Sequence, residues 1–405
     1  MAVSSITIRA VQALKPGETI WDADHREAVR GFGVRRQREQ ATYVLKYRVF
    51  GRQRFVTIGP HGAPWTPEKA RREAKRLLGL VADGKDPQAG KKEARDQAAD
   101  TLGKVVDGYL AHAKKRQRPK TYSETERYLL VVWKPLHSVS IFAIRRRDMT
   151  AQLAEIEAER GAVSAARARS KLSALFNWAI REGYEIEANP VSGTHRPEAP
   201  KSRKRTLTDD EIRDVWAGLD TAPDLPECYP RYVRSLLLCA ARRNEGASMH
   251  STEFEGDLRT IPGERYKTKL DHVIPLTDAV KALIGGKPHG ANGNSWFVFS
   301  TTFGAKAFSG FSKAKRALNT EIARRREAEE REPMPNWTLH DLRRTARSLM
   351  SRAKVPADHA ERCLGHVIGG VRETYDRYEY LDEKREAFAA LAGLVNRIVR
   401  ITGND

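Results

Sequence analysis

Residues 197–205, Pro197-Glu198-Ala199-Pro200-Lys201-Ser202-Arg203-Lys204-Arg205, constrain what this chain can fold into more than any other stretch. Two prolines and four cations in nine residues neither enter a hydrophobic core nor continue a helix, so the segment reads as an extended basic linker. The chain on either side must pack as separate bodies, and 405 residues exceed one ordinary core in any case. Composition then restricts the partner. A formal net charge of +20 and a pI near 9.9 point to a polyanion. Lys and Arg outnumber Asp and Glu in residues 1–100, 101–200 and 201–405 alike, so the excess is not confined to a tail. Cys228, Cys239 and Cys363 lack CxxC spacing, which argues against a zinc site or a disulfide framework and fits a reducing compartment. No apolar run approaches 18 residues and no signal-peptide pattern is present, so the expectation is a cytoplasmic, nucleoid-associated protein with no membrane partner.

Before the linker the pattern changes character. Residues 19–59 read as strands, with Tyr43–Val49 and Phe55–Ile58 forming a hairpin about Gly51. Thr66-Pro67-Glu68 opens a helix through Ala70, Ala74, Leu77 and Leu78 that ends near Gly84. Such a sheet, backed by one helix, can present Arg48, Arg52 and Arg54 to a DNA groove; the alternative is a solvated face, and the charge balance favours DNA. Residues 85–100 are polar and read as a second linker. From 101 the period is helical, in Leu102, Val105, Val106, Tyr109 and Leu110 and again in Ala168, Leu172, Leu175, Phe176 and Ala179. Lys114, Lys115, Arg116, Arg118, Lys120, Arg145, Arg146 and Arg147 lie between these helices and suit a clamp on duplex DNA.

After the linker, Thr208-Asp209-Asp210-Glu211 is a capping box, and a helix is expected from Arg231 to Cys239. Leu258–Ile261 and His272–Leu276 read as paired strands with Lys267 in the turn between them. Thr338 caps a helix on which His340 and Arg343 lie one turn apart and share a face. Phe388, Leu391, Leu394, Val395 and Ile398 make an amphipathic helix that could pack on its own core or on a neighbouring subunit. The fold class expected is multidomain α+β: a small sheet-plus-helix domain (1–90), an all-α domain (101–195) and a mainly α domain with a small sheet (206–405).

These residues have a joint chemical logic. Attack of a hydroxyl on a phosphodiester builds negative charge on the non-bridging oxygens, and a guanidinium fork matches that geometry. Two arginines and a histidine around one phosphate can replace a metal, and no metal-binding carboxylate cluster stands out. A phenol is a weak nucleophile at neutral pH and needs cations or a base beside it. A leaving alkoxide needs a proton, which a lysine on a hairpin turn can bring.

In this order the motifs resemble those of the tyrosine site-specific recombinases, or phage integrases. Leu238-Cys239-Ala240-Ala241-Arg242-Arg243-Asn244-Glu245 is similar to the family's Thr-Gly-x-Arg-x-x-Glu box, with Cys239-Ala240 standing where Thr-Gly is usual. Glu264-Arg265-Tyr266-Lys267 resembles the hairpin-lysine segment, His340-Asp341-Leu342-Arg343 the His-x-x-Arg box, and Leu364-Gly365-His366 lies nine residues before Tyr375. Residues 1–90 are similar to an arm-type DNA-binding domain and 101–195 to a core-binding domain.

The resemblance implies that Tyr375 is the nucleophile that forms a 3′-phosphotyrosine, in preference to Tyr378 or Tyr380. Arg242, Arg343, His340 and His366 would hold the phosphate, Lys267 would protonate the leaving oxygen, and Glu245 would orient Arg242. His340 is also the candidate to take the phenol proton. It further implies integration or excision of a mobile element without metal, ATP or other cofactor, by a homotetramer on core and arm-type sites of double-stranded DNA. A DNA-bending accessory protein or an excisionase is admitted as a further partner. The rival expectations are a type IB topoisomerase-like nicking and closing enzyme and a DNA-binding regulator without chemistry.

Overall fold

The hairpin expected around Gly51 is the spine of the N-terminal sheet. In the computed structural model, which describes residues 2–23, 26–198, 203–291, 293–366 and 378–400, the chain divides into two units, Met1–Lys201 and Ser202–Asp405.

The first unit opens with β1 (Ala2–Ser4), α1 (Ile8–Ala13), β2 (Thr19–Asp22), β3 (Phe32–Arg36), β4 (Ala41–Val49) and β5 (Arg52–Pro60). The five strands are ordered as in sequence, antiparallel except for the β1–β2 pair. Phe50 and Gly51 both take positive φ (49° and 74°), the tight-turn geometry whose twist matches a β-hairpin. Tyr43, Leu45, Tyr47 and Val49 alternate onto the buried face. There they meet Ala70, Ala74 and Leu77 of α2 (Pro67–Ala82), which Thr66 caps as expected. Inside this core Arg71 grips Asp22 through two 2.8 Å hydrogen bonds. Burial alone would raise the Asp22 carboxyl, but Arg71 and two backbone donors outweigh it and hold the group below its usual range.

Residues 85–100 are not a linker. Pro87–Ala99 form α3, because Asp86 accepts at the N-cap from Gln88 N (3.0 Å), Pro87 suits the first turn, and the Ala, Lys, Glu and Arg that follow favour helix. Its polarity hides it in the sequence, because this helix buries only Pro87 among its own residues and is tied to the sheet by polar contacts. A second core follows, built by α4 (Leu102–Arg116), α5 (Pro119–Arg127), α6 (Arg146–Arg160) and α7 (Ala162–Arg181) around Trp133, whose indole N–H donates to Ala168 O (3.0 Å). All five residues of the expected 168–179 stripe are buried.

The second unit holds α8 (Asp209–Thr221), α9 (Cys228–Leu238) and α10 (Arg243–Ala247), then β6 (Phe254–Glu255), β7 (Leu258–Ile261) and β8 (His272–Pro275) in one antiparallel sheet. It continues through α11 (Asp278–Ile284), α12 (Phe311–Ala328), α13 (Leu339–Arg352), α14 (Ala357–Cys363) and a last helix, Leu381–Arg400. Phe388, Leu391, Leu394, Val395 and Ile398 are buried in the core of this same unit. Of the two packings the periodicity allowed, the chain takes the internal one. No helix among the described residues is long and apolar enough to cross a membrane.

Candidate active site

Helix α13 is the lever of the site. Thr338 and Asp341 form its capping box, with Asp341 fully buried and accepting from Thr338 N at 2.8 Å. Leu339, Leu342, Ala346 and Leu349 turn one face into the core, and Arg343 lies on that face and is 4% exposed. Its guanidinium donates to Ala240 O (2.5 Å), Leu364 O (2.6 Å) and His366 Nε2 (3.1 Å). Among the described residues it forms no ion pair, although Glu245 favours its charged form and the Tyr266 side chain also bonds to it. Burial first, and then Arg242, lower its pKa to about 10, so it is still a cation at neutral pH.

Arg242 caps α10 and comes from the loop after α9. Its backbone N–H donates to Glu245 Oε2 (3.0 Å) and its guanidinium to Glu245 Oε1 (2.6 Å) and Tyr266 Oη (3.0 Å). Two residues earlier Ala240 has φ +47°, a left-handed conformation in which a Cβ is strained. That is the position where the resembled box carries glycine.

His366 completes the group. Because Arg343 can only donate, His366 Nε2 accepts, and the proton sits on Nδ1, which donates to Glu361 Oε2 at 2.5 Å. His340, exposed on the first turn of α13, has its pKa lowered by burial and then by the guanidinia of Arg344, Arg343 and Arg242. Lys267 is exposed on the turn between β7 and β8, as expected. Arg242, Arg343 and His366 are therefore joined through shared contacts, His340 lies in the field of both arginines, and Lys267 stands on the adjoining turn. Tyr375 lies outside the described residues. Tyr380 is occupied elsewhere: Arg362 lies over its ring at 3.7 Å, and Tyr378 packs on it at 4.8 Å.

Sequence reasoning missed Tyr266, Glu361 and His272. Tyr266 holds Arg242 from 24 residues away and Glu361 holds His366 from five, and no spacing signal marks either.

The register revises the basic sheet. Residues paired across β4 and β5 share a face. Arg48 pairs with Gln53 on the open face, whereas Arg54 pairs with buried Tyr47 and Arg52 with buried Val49 on the helix side. Arg54 is bound to Asp86 at 3.0 Å, at the start of α3. The open face instead carries Trp21, Lys46 and Phe55, with Lys46 5.9 Å from the Trp21 ring centroid and Phe55 6.4 Å from it. Trp21 can lie flat because Gly33 is beneath it; a Cβ there would come within 2.6 Å of the indole. In the helical part, Lys114, Lys115 and Arg116 end α4, Arg118 and Lys120 begin α5, and Arg145, Arg146 and Arg147 begin α6; all but half-buried Arg118 are exposed.

Residues 205–383 match the Phage integrase family model, and residues 6–94 match the Arm DNA-binding domain model. Together they identify a tyrosine recombinase domain of the phage integrase family behind an N-terminal arm domain. Among curated relatives, the prophage integrase IntA of Escherichia coli (strain K12) is 24% identical over 81% of this chain and 78% of its own length. The integrase of Shigella phage Sf6 is 24% identical over 88% and 90%. A lambda integrase tetramer bound to a Holliday junction superposes with TM-score 0.54 at 20% identity, covering 84% of this chain and 97% of that one. The Tn1549 transposon integrase in complex with circular intermediate DNA gives 0.51 at 16%, covering 69% and 95%. At these identities the structural likeness is one of fold.

Proposed function

We propose that this phage integrase family member is a site-specific DNA recombinase that cleaves and rejoins strands through a 3′-phosphotyrosine, integrating or excising a mobile element. The observation that carries this reading is Arg343: among the described residues this buried guanidinium is held by two carbonyls, an imidazole and the Tyr266 phenol and forms no ion pair, beside a second arginine, which suits an anion that is not part of the protein.

In this reading Arg242 and Arg343 hold the non-bridging oxygens of the scissile phosphate and offset the charge that grows on them as the phosphorane forms, while His366, oriented by Glu361, seats the Arg343 guanidinium. Tyr375 Oη bonds to phosphorus and the P–O5′ bond breaks. The phenol proton passes to His340, whose lowered pKa keeps it neutral and able to accept. Lys267 delivers a proton to the departing 5′ oxygen. Glu245 aims Arg242. The phosphotyrosine conserves the bond energy, so a 5′-hydroxyl can reverse the step without ATP, and the two guanidinia do the work of a metal. Residues 1–90 would bind arm-type sites, 101–195 would bind the core site, 206–405 would carry the chemistry there, and four protomers would act on two duplexes, with a bending protein or excisionase in attendance.

A nicked suicide duplex, from which the 5′ fragment diffuses away, tests the reading. The wild-type chain should accumulate a covalent adduct that Tyr375→Phe abolishes. Absence of adduct at saturating DNA would leave a DNA-binding regulator, and relaxation of supercoils without two-site exchange would indicate a topoisomerase-like enzyme.

A further inference from the structure

Tyr266 is 1% exposed and immediately precedes Lys267. Its hydroxyl accepts from Arg242 at 3.0 Å, and it lies within hydrogen-bond distance of two carbonyls, Leu364 O (3.0 Å) and Gly365 O (3.2 Å). Arg343 donates to the same Leu364 carbonyl. One oxygen therefore stands between the loop that supplies Arg242 and the turn that supplies His366, and shares an acceptor with Arg343. The ring is clamped from below by His272, stacked at 4.7 Å and 28°. Burial first, and then Lys384 and the nearby arginines, push the His272 imidazole down to about 3, so it stays a neutral platform. The neighbouring Arg265 is bound to Glu253 and to Ser248 O, which anchors the base of the turn, while Lys267 beyond it is exposed.

Gly365 records the same constraint. It has φ +60°, and a Cβ there would fall 2.0 Å from the Tyr266 hydroxyl and 2.9 Å from His272 Cε1. The glycine of Leu364-Gly365-His366 is thus the residue that leaves room for this phenol.

We propose that Tyr266 is a positioning residue of the cleavage reaction: its hydroxyl holds the Arg242 guanidinium against the Leu364-Gly365-His366 turn, so that Arg242 and Arg343 address one phosphate together. A phenylalanine keeps the ring, the stacking on His272 and the burial, and removes only the oxygen that bonds Arg242, Arg343 and the two carbonyls. The inference rests on the recombinase reading above.

The test compares adduct formation on suicide duplexes that differ at the scissile position. One carries the natural phosphate. In the second a methylphosphonate replaces one charged non-bridging oxygen and removes the need for a guanidinium. In the third, a 5′-bridging phosphorothiolate, the leaving thiolate needs no proton. Tyr266→Phe should bind DNA as the wild type does and cleave the natural phosphate about 10- to 100-fold more slowly. On the methylphosphonate it should match the wild type within about 2-fold, the scatter of context effects on single contacts. The deficit should persist on the phosphorothiolate. Gly365→Ala, which crowds the same hydroxyl from the opposite side, should give the same pattern and provides a second route if one variant folds poorly. Wild-type rates on the natural phosphate, or equal losses on all three substrates, would overturn the proposal. Rescue by the phosphorothiolate alone would place the role at Lys267 and overturn the assignment to Arg242. A wild-type chain that forms no adduct on any of the three would instead remove the recombinase reading, and this role with it.

Discussion

Arg343 shows how one side chain can be both structural and chemical. Its position on the buried face of α13 is dictated by the helical period, yet its partners are carbonyls from segments more than 100 and about 20 residues away. Arg343→Ala should therefore have two separable effects. Two buried carbonyls lose a charged donor, which should lower stability by about 1–3 kcal/mol in a denaturant titration. Adduct formation on a suicide duplex should fall by about 100- to 1,000-fold, as when a donor to developing charge is removed, while equilibrium DNA binding is retained. Collapse of binding in step with cleavage would make the arginine structural only. The left-handed Ala240 beside it is the counterpart: a Cβ is tolerated there because the loop after α9 must turn to bring Arg242 back.

At the scale of elements, the hairpin β4–β5 decides which arginines share the open face of the sheet. Pairing places Arg48 with Lys46, Trp21 and Phe55 on the open face, and Arg54 on the helix side against Asp86. Arg48→Ala should weaken binding to arm-type DNA and reduce the slope of log K against log salt by about 1, as loss of one phosphate contact does. Arg54→Ala should leave that slope unchanged. It should instead raise amide exchange across α3, because Asp86, which also accepts from Tyr47 at the helix start, loses its cation. Equal salt slopes for the two variants would count against the face assignment. The same element shows why 85–100 carries no helical period: α3 is a polar helix held by its cap and by side-chain contacts to the sheet, and no apolar stripe announces it.

Across the whole molecule, stability should depend on pH through the second unit. His272 is buried beside Lys384, Arg343, Arg259 and Arg242, and its folded pKa lies near 3 against an ordinary value near 6.5. Between these values the unfolded chain binds the proton and the folded chain does not, so stability is full above the unfolded pKa and is lost as pH falls below it. Calorimetry of the full chain should show a transition whose Tm drops from about pH 6.5 toward about pH 4. His272→Gln should flatten that dependence, whatever its effect at pH 7. An unchanged slope in the variant would assign the effect to other groups.

Local pattern determined a good deal by itself. The hairpin, the helix capped at Thr66, the stripe over 168–179, the capping boxes at Thr208 and Thr338, and the pairing of β7 with β8 all follow from side-chain periodicity and caps, which act over a few residues. The order of the motif boxes named Arg242, His340, Arg343 and His366 for the same reason: each is a short string. Only the tertiary structure decided which arginines of the sheet face outward, that the last helix closes its own core, and that Tyr266 and Glu361 hold the arginine–histidine group together. No period or cap announces those contacts, and the buried ones gain their energy only once folding has removed the water that would otherwise satisfy each group.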